Sequence, residues 1–436
     1  MKKILIFGLG RSGHGLLDYL AGDYDEILVT DDAPFDADKL SDAYNTKISA
    51  YTDGESVDLV LLSPGISPSH PKVLKWLEEG VPLQSEIDFA AEQLPGAVMA
   101  ISGTNGKSTT TAWCAHILGV PAAGNIGIPL SATLRERALL QWNILEVSSF
   151  QLAFSRALHP KLAAILNITQ DHLDWHGSLD AYIEAKSRLF ASMDESDSLL
   201  IGVDSPLLQK MMEGRKHPFV LREFSVQREV EKGAFYKDGG LWLREEKDIF
   251  LLDSEELSLQ GDHNIANALA AASLAYCAGA KVGNIRRALK DFPGLRHRYE
   301  IVASSDGVRF INDSKATNPE STLPALKSAK VPTIVLMGGY DKGIGYDILF
   351  AQELPHLKAV VCYGSTAAIV AESAKKYGVE RIYRVRDLEE AFDKAFQISA
   401  PGDDILLSPA SASWDAYSNF EERGDHFREL VGRLNP

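Results

Sequence analysis

Gly103-Thr104-Asn105-Gly106-Lys107-Ser108-Thr109 follows the apolar run Val98-Met99-Ala100-Ile101 and leads into Thr110-Thr111-Ala112-Trp113-Cys114-Ala115-His116-Ile117-Leu118. The run reads as a buried strand and the tail as a helix, so the polar stretch joins a strand to a helix N-terminus. Small residues there let backbone N–H groups turn onto phosphate oxygens, and the helix end adds partial positive charge. Lys107 would reach the β- and γ-phosphates of ATP, and the Ser108 hydroxyl would ligand Mg2+. The common form of this loop has its first glycine five positions before the Gly-Lys pair, where this chain has Ile101. The loop is a shortened one, and it predicts an ATP site in an α/β unit.

Working outward, short apolar runs alternate with helical periods in three α/β blocks. The first opens with a strand over 4–7, the turn Gly8-Leu9-Gly10-Arg11-Ser12-Gly13 and a helix to about 20; strands over 26–30 and 57–62 follow, the last ending at Ser63-Pro64-Gly65. Gln93-Leu94-Pro95-Gly96 links it to the second block, which carries the phosphate loop and strands over 143–147 and 162–167. Residues 196–259 are irregular and charge-rich; small antiparallel strands are expected there, with Asp238-Gly239-Gly240 as a hairpin turn. Helices over 264–278 and 282–291 close the block, and Phe292-Pro293-Gly294-Leu295-Arg296-His297-Arg298 is the second link. The third block alternates strands over 308–312, 333–337, 359–363, 381–385 and 404–407 with helices over 319–328, from 366, 388–398 and 420–434, which predicts another parallel sheet.

Size and composition agree. A chain of 436 residues is too long for one core and implies two to four domains. Its 45% hydrophobic and 24% charged content is ordinary for a soluble globular protein. A net charge of −16 argues against a general nucleic-acid surface, and it leaves any nucleotide phosphates to local groups. Cys114, Cys277 and Cys362 stand far apart in apolar stretches, as small buried hydrophobes of a reducing compartment do. The apolar run from Met1 is broken by glycines and Arg11, unlike a leader, and no segment approaches a membrane span of roughly 20 apolar residues. A cytoplasmic location is expected.

Several polar loops ask for a chemical reading. Gly8-x-Gly10-x-x-Gly13, with Asp31 and Asp32 at the end of the next strand, fits a dinucleotide-binding turn and hence a dehydrogenase. A turn cradling another diphosphate, or a tight turn with no ligand, fits the same residues. Glu146 closes a buried strand, where a carboxylate is costly unless it meets a cation or a donor; Mg2+ is favoured over a structural salt bridge. Asn167-Ile168-Thr169-Gln170-Asp171-His172-Leu173-Asp174-Trp175-His176 crowds imidazoles and carboxylates at a strand end, a composition suited to metal binding or proton transfer but not to a cysteine zinc site. Lys186 lies on an amphipathic helix and by itself reads as a solvated lysine. In Gly261-Asp262-His263-Asn264-Ile265-Ala266-Asn267-Ala268, polar residues at a helix start would cap backbone donors or meet a base edge. The loops at 312–319, 338–343 and 408–415 would fall on one carboxyl edge of the third sheet, where a composite site is expected.

Taken in order, these residues resemble the Mur ligases of peptidoglycan synthesis over essentially the whole chain. The resemblance rests on residues 103–109, Gly124-Asn125-Ile126-Gly127, residues 146–151, Asp171-His172-Leu173-Asp174, the Lys186 helix, and residues 263–267, 312–318 and 408–415. The tail Asn419-Phe420-Glu421-Glu422-Arg423-Gly424-Asp425-His426-Phe427 resembles the D-glutamate-adding branch of that family. It implies a cytoplasmic, monomeric, ATP-dependent amide ligase with a Rossmann-like UDP-sugar domain at 1–93. A central P-loop ATPase domain at 94–296 would carry a parallel sheet plus a small antiparallel sheet, and a Rossmann-like amino-acid domain would occupy 297–436. The first glycines would then face the diphosphate of a UDP-N-acetylmuramoyl-L-alanine precursor, not NAD.

Such a ligase makes a poor electrophile reactive: the γ-phosphoryl of ATP passes to the alanyl carboxylate, giving an acyl phosphate that an amine can attack. By resemblance, Gly103, Thr104, Asn105, Gly106, Lys107, Ser108, Thr109, Asn267, Arg298 and Asp313 bind ATP. Gly10, Arg11, Ser12, Thr30, Gly65, Asn125, Gln151 and His172 bind the UDP substrate. Thr317, Lys342, Ser413, Trp414 and Phe420 bind D-glutamate. Ser108 and Glu146 would serve one Mg2+, and His172 with a carbamylated Lys186 a second; Lys107, His172 and Lys186 are the implied catalytic residues. Family members commonly bind uracil through Thr and Arg after the second strand. Here Thr30-Asp31-Asp32 has no Arg, and Trp414 replaces a smaller apolar residue. A sister ligase with another amino acid or a folate substrate, and a dinucleotide-dependent oxidoreductase, are the alternatives.

Overall fold

The computed structural model describes residues 3–135, 140–343 and 345–434. Met1 and Lys2, which open the run weighed as a leader, lie outside the described residues, as does the Asp174 side chain of the polar run. The chain divides into two compact units, Met1–Pro293 and Gly294–Pro436.

The first unit holds two sheets. The smaller is fully parallel, in the spatial order Lys47–Ala50, Glu26–Thr30, Ile4–Phe7, Leu59–Leu62, Leu83–Ser85. Ile4–Phe7 is buried at every position because parallel strands are covered on both faces. The order reverses between Ile4–Phe7 and Leu59–Leu62, so the loops leaving those strands flank a crevice at their carboxyl ends. Both loops meet there: Ser63 Oγ donates to Gly8 O at 2.6 Å.

The larger sheet has nine strands, and Ala97–Ser102, third from one edge, feeds the phosphate loop. Trp142–Glu146 and Ala122–Gly124 lie on one side; Leu162–Ile165, Ser198–Gly202, Val220–Ser225 and Gly233–Lys237 lie on the other, all parallel. The expected antiparallel strands are present as Gly233–Lys237, Gly240–Arg244 and Asp248–Asp253, and they form the edge of this same sheet. Asp238 and Gly239 both have positive φ, as the two-residue hairpin turn requires. Helix Lys107–Leu118 has hardly a polar face because it packs on this sheet and against the neighbouring alanine-rich helix Asp262–Cys277. Trp113 anchors it, donating to Ala288 O at 3.2 Å and stacking on Phe292.

The second unit orders its sheet as Glu300–Ser305, Val308–Asn312, Asp404–Leu407, Thr333–Gly338, Leu357–Tyr363, Ile382–Arg384. All pairs are parallel except the first, an antiparallel edge hairpin that the sequence pattern did not reveal. Its alternating, half-exposed residues carry no continuous apolar run. Cys114 and Cys362 are buried and Cys277 half-buried; all three are free thiols.

Candidate active site

In the central sheet the phosphate loop leaves Ala97–Ser102, and the polar run beginning at Asn167 leaves the neighbouring strand Leu162–Ile165, across the point where strand order reverses. The two loops are stitched together. Thr104 N donates to Asn167 O at 3.0 Å and Asn105 N to Asn167 Oδ1 at 2.8 Å, while Thr169 N donates to Thr104 Oγ1 at 3.0 Å. Gly103 and Gly106 have φ of 153° and 83°, and a Cβ on Gly106 would stand 2.3 Å from Asn267 Oδ1. Gly106 is thus required by conformation and by space. Asn267 sits beneath the loop, accepting from Thr110 Oγ1 at 3.3 Å and donating to Asn264 Oδ1 at 3.3 Å.

Two lysines converge on this loop. Lys107 Nζ donates to Gly103 O at 2.9 Å and Thr104 O at 2.8 Å. Lys186, read as a solvated helix lysine from its sequence, is 1% exposed and donates to the same Gly103 O at 2.9 Å. That expectation fails because helix Leu179–Ser187 turns its Lys186 face inward, with the ammonium 4.7 Å from the Tyr182 ring. Burial holds Lys186 well below the usual lysine range, the Lys107 charge adds to this, and Asp171 opposes it. Burial thus works against the charged form of this amine.

Glu146, 2% exposed, closes strand Trp142–Glu146. Its Oε1 accepts from Asn125 Nδ2 at 2.8 Å, and Asn125 N donates to Glu146 O at 2.9 Å. Its Oε2 is buried with no hydrogen-bond partner, and no ion pair to Glu146 occurs among the described residues. An orphaned carboxylate oxygen at the carboxyl edge of the sheet, on the strand beside the buried Ser108 loop, fits a divalent cation and not the salt-bridge reading. His172 has φ of 52°, pairs with Asp171 at 3.4 Å and packs on Phe150. Gln151 closes a capping box with Ser148, accepting at Oε1 from Ser148 N at 2.9 Å.

In the small sheet, Gly10 caps helix Arg11–Leu20, which begins with Arg11 and Ser12. A Cβ on Gly10 would meet open space, whereas one on Gly13 would stand 2.0 Å from Gly8 O. Gly13 closes the turn, and Gly10 has no such steric reason. Asp31, the candidate ribose acid, accepts from Leu9 N at 2.5 Å and from Ala33 N at 2.8 Å. Its two oxygens hold the turn, and Asp32, the other candidate acid, lies 3.2 Å from His70 Nε2. Thr30 is buried at the strand end, and Gly65 lies in the adjoining loop after Leu59–Leu62.

The second unit carries Arg298, Asp313 and the remaining candidates. Arg298 is exposed in the turn closed by the Leu295–Arg298 bridge. Asp313 is buried, accepting from Ser408 Oγ at 2.8 Å and Tyr299 N at 3.2 Å. Burial pushes its carboxyl up to about 7, against the lowering pull of Ser408, Tyr299 N–H and Arg298. Lys342 lies over the Trp414 ring at 4.9 Å, and Trp414, 62% exposed, also packs on Tyr340. Ser413 is buried, Thr317 half-buried, and Phe420 O accepts from Ser314 Oγ at 2.8 Å.

Sequence reasoning missed the residue that gathers these loops. Arg423, 0% exposed, donates to Ser314 Oγ at 3.0 Å, Ser314 O at 2.9 Å, Ser411 O at 3.0 Å, Ala412 O at 3.2 Å and Gly338 O at 3.4 Å. One guanidinium thus brackets the ends of three strands. Arg423 lies in the tail 419–427 that carries the family resemblance, but the sequence assigned it no role; Gly424 leaves room for His297, whose Nδ1 would stand 2.1 Å from a Cβ there.

Comparison with known proteins adds three family matches in chain order: Mur ligase MurD-like, N-terminal domain, at residues 2–85; Mur ligase middle domain at 101–275; and Mur ligase, glutamate ligase domain, at 297–411. The chain is 38% identical over 452 residues to the UDP-N-acetylmuramoylalanine–D-glutamate ligase of Geobacillus kaustophilus (strain HTA426), covering 99% of this chain and 98% of that protein. The ligase of the same name from Thermoanaerobacter pseudethanolicus is 36% identical, with 99% and 98% covered. Among solved structures, MurF from Acinetobacter baumannii superposes with a TM-score of 0.64 at 20% identity, over 99% of this chain and 93% of that one. UDP-N-acetylmuramate-alanine ligase MurC from Thermotoga maritima gives 0.59 at 18% identity, over 99% and 100%. These structural likenesses establish the three-domain α/β fold.

Proposed function

The chain belongs to the Mur ligase family, and on that footing we propose that it joins D-glutamate to UDP-N-acetylmuramoyl-L-alanine with ATP as phosphoryl donor. The observation that carries this reading is the meeting, at one sheet edge, of the phosphate loop, Lys107, the buried Lys186 and the orphaned Oε2 of Glu146. Residues 1–93 hold the UDP-sugar through Gly10, Arg11, Ser12, Thr30 and Gly65. Residues 94–296 hold ATP on 103–109 and Asn267 and meet the muramoyl substrate at Asn125, Gln151 and His172. Residues 297–436 supply Arg298 and Asp313 for the nucleotide, and Thr317, Lys342, Ser413, Trp414 and Phe420 for D-glutamate.

An alanyl carboxylate oxygen attacks the γ-phosphorus, ADP leaves, and an acyl phosphate forms. The D-glutamate amine then attacks the acyl carbon, phosphate departs and the nitrogen loses its proton. Two anions must approach each other, so positive charge has to be concentrated at the loop. Lys107 exchanges its two loop carbonyls for phosphate oxygens, and the loop N–H groups cradle the rest. Ser108 and Glu146 would hold one Mg2+ and His172 with Lys186 a second, and bound Mg2+ would neutralise phosphate charge. Lys186 would serve as a carbamate, formed when its neutral amine adds to CO2 and loses a proton.

Phosphate release from ATP should require both UDP-N-acetylmuramoyl-L-alanine and D-glutamate. Faster release with L-glutamate or any other amino acid would sink the specificity, and release without the nucleotide sugar would sink the substrate class.

A further inference from the structure

The start of helix Pro71–Glu78 meets the ends of Ile4–Phe7 and Glu26–Thr30, through His70 on the Phe7 ring and Lys72 on Thr30. His70 is the N-cap of that helix: its Nδ1 accepts from Lys72 N at 3.2 Å, so its Nε2 carries the hydrogen and donates to Asp32 Oδ1 at 3.2 Å. Asp32 is turned onto His70, and Asp31 is taken by Leu9 N and Ala33 N. Neither carboxylate reaches Lys72. Its half-buried ammonium donates to Thr30 Oγ1 at 2.9 Å and lies 5.6 Å from the Phe7 ring centroid, and among the described residues it makes no ion pair. A cation in such a place keeps donors for an acceptor-bearing ligand.

The position says which part of a ligand it meets. Phosphates belong at the N-terminus of helix Arg11–Leu20, where Gly10 leaves open space. Thr30 ends the next strand outward, where nucleotide folds of this type place the nucleoside. Thr30 Oγ1 takes one of the ammonium's three hydrogens, and the ammonium has no acceptor, so Lys72 offers a ligand donors only. Uracil presents a carbonyl at C4; cytosine presents an amino donor there. We infer that Lys72, oriented by Thr30, is the residue that reads the C4 carbonyl of the uracil ring. This rests on the UDP-sugar reading of residues 1–93.

The test is calorimetric binding of UDP and CDP to the full chain, with steady-state kinetics alongside. Lys72→Met and Lys72→Gln should weaken UDP about ten-fold, as loss of a charged hydrogen bond does, and weaken CDP much less, so the preference for UDP narrows. The KM for the UDP-sugar should rise in step while kcat and the KM values for ATP and D-glutamate hold, and Lys72→Arg should restore most of the loss. Unchanged UDP affinity in both variants overturns the inference. Equal losses for UDP and CDP also overturn it, placing Lys72 on a phosphate. UDP binding needs no turnover, so a wild-type chain that binds UDP but releases no phosphate would refute the ligase reading and leave this comparison decisive. A wild-type chain that does not bind UDP refutes the inference.

Discussion

The central sheet and the sheet of the second unit each bury a basic side chain at the carboxyl edge, and they treat it in opposite ways. At the central edge, Lys186 is buried against the Gly103 carbonyl and the Tyr182 ring, and Glu146 keeps an oxygen with no partner. At the other, Arg423 is surrounded by carbonyl and hydroxyl acceptors on three strand ends. An unsatisfied buried charge costs stability and stays available for chemistry, whereas a satisfied one is structural. On the proposed reading, the difference separates a reacting centre from the bracket that shapes a binding loop.

The sharpest break of that contrast is to remove the central charges. Lys107→Ala, Glu146→Gln and Lys186→Met should each lower the phosphate-release rate by about a thousand-fold or more, yet leave the melting temperature of Lys186→Met equal to or above wild type. A Lys186→Met protein that melts well below wild type would show its charge to be structural after all. Bicarbonate should not rescue Lys186→Ala.

Arg423→Met should do the reverse, costing about 3–5 kcal/mol by leaving several buried carbonyls without donors. Chemical unfolding followed through Trp414, the second unit's single tryptophan, reads that loss. A loss under about 1 kcal/mol would mean that the bracket is dispensable.

Asp313 should give the second unit a pH dependence. Its carboxyl is raised to about 7 in the folded chain, so between the ordinary carboxylate range and 7 the folded state holds a proton that the unfolded state has lost. Stability therefore falls as pH rises through that window, by up to about 1.4 kcal/mol per pH unit. Asp313→Asn should flatten the slope between pH 4 and 7, roughly the interval from an ordinary aspartate to this one; an unchanged slope would reject the assignment.

The smallest effect is expected at the exposed Lys342–Trp414 contact. An exposed cation–π pair is worth about 0.5–1 kcal/mol, so Trp414→Leu should raise the KM for D-glutamate two- to five-fold by roughly that energy, with kcat kept. A change in kcat instead would place Trp414 in the reaction itself.

Most of the fold was legible because parallel strands buried on both faces are continuous apolar runs: residues 4–7, 333–337 and 404–407 announce themselves. The edge strand Glu300–Ser305 was not, since an exposed antiparallel edge needs no such run. The strand-end positions of the phosphate loop, Glu146 and the polar run from Asn167 were also legible, because each follows a continuous apolar run. The environment of Lys186 was hidden. Nothing in a helical period states which face a neighbouring loop will cover, and only the fold brings Gly103 O onto that amine.

The sequence by itself determined the three α/β blocks, the phosphate loop and, through its ordered motifs, the ligase family. Those follow from local pattern and spacing, which the chain carries without folding. Tertiary structure alone decided that Asp31 holds a turn, that Lys186 is buried, that Glu146 keeps an unpaired oxygen, that Lys72 stands over Thr30 and that Arg423 binds three strand ends. Each depends on contacts between residues distant in the chain, where burial and the count of available partners fix what a charge can do.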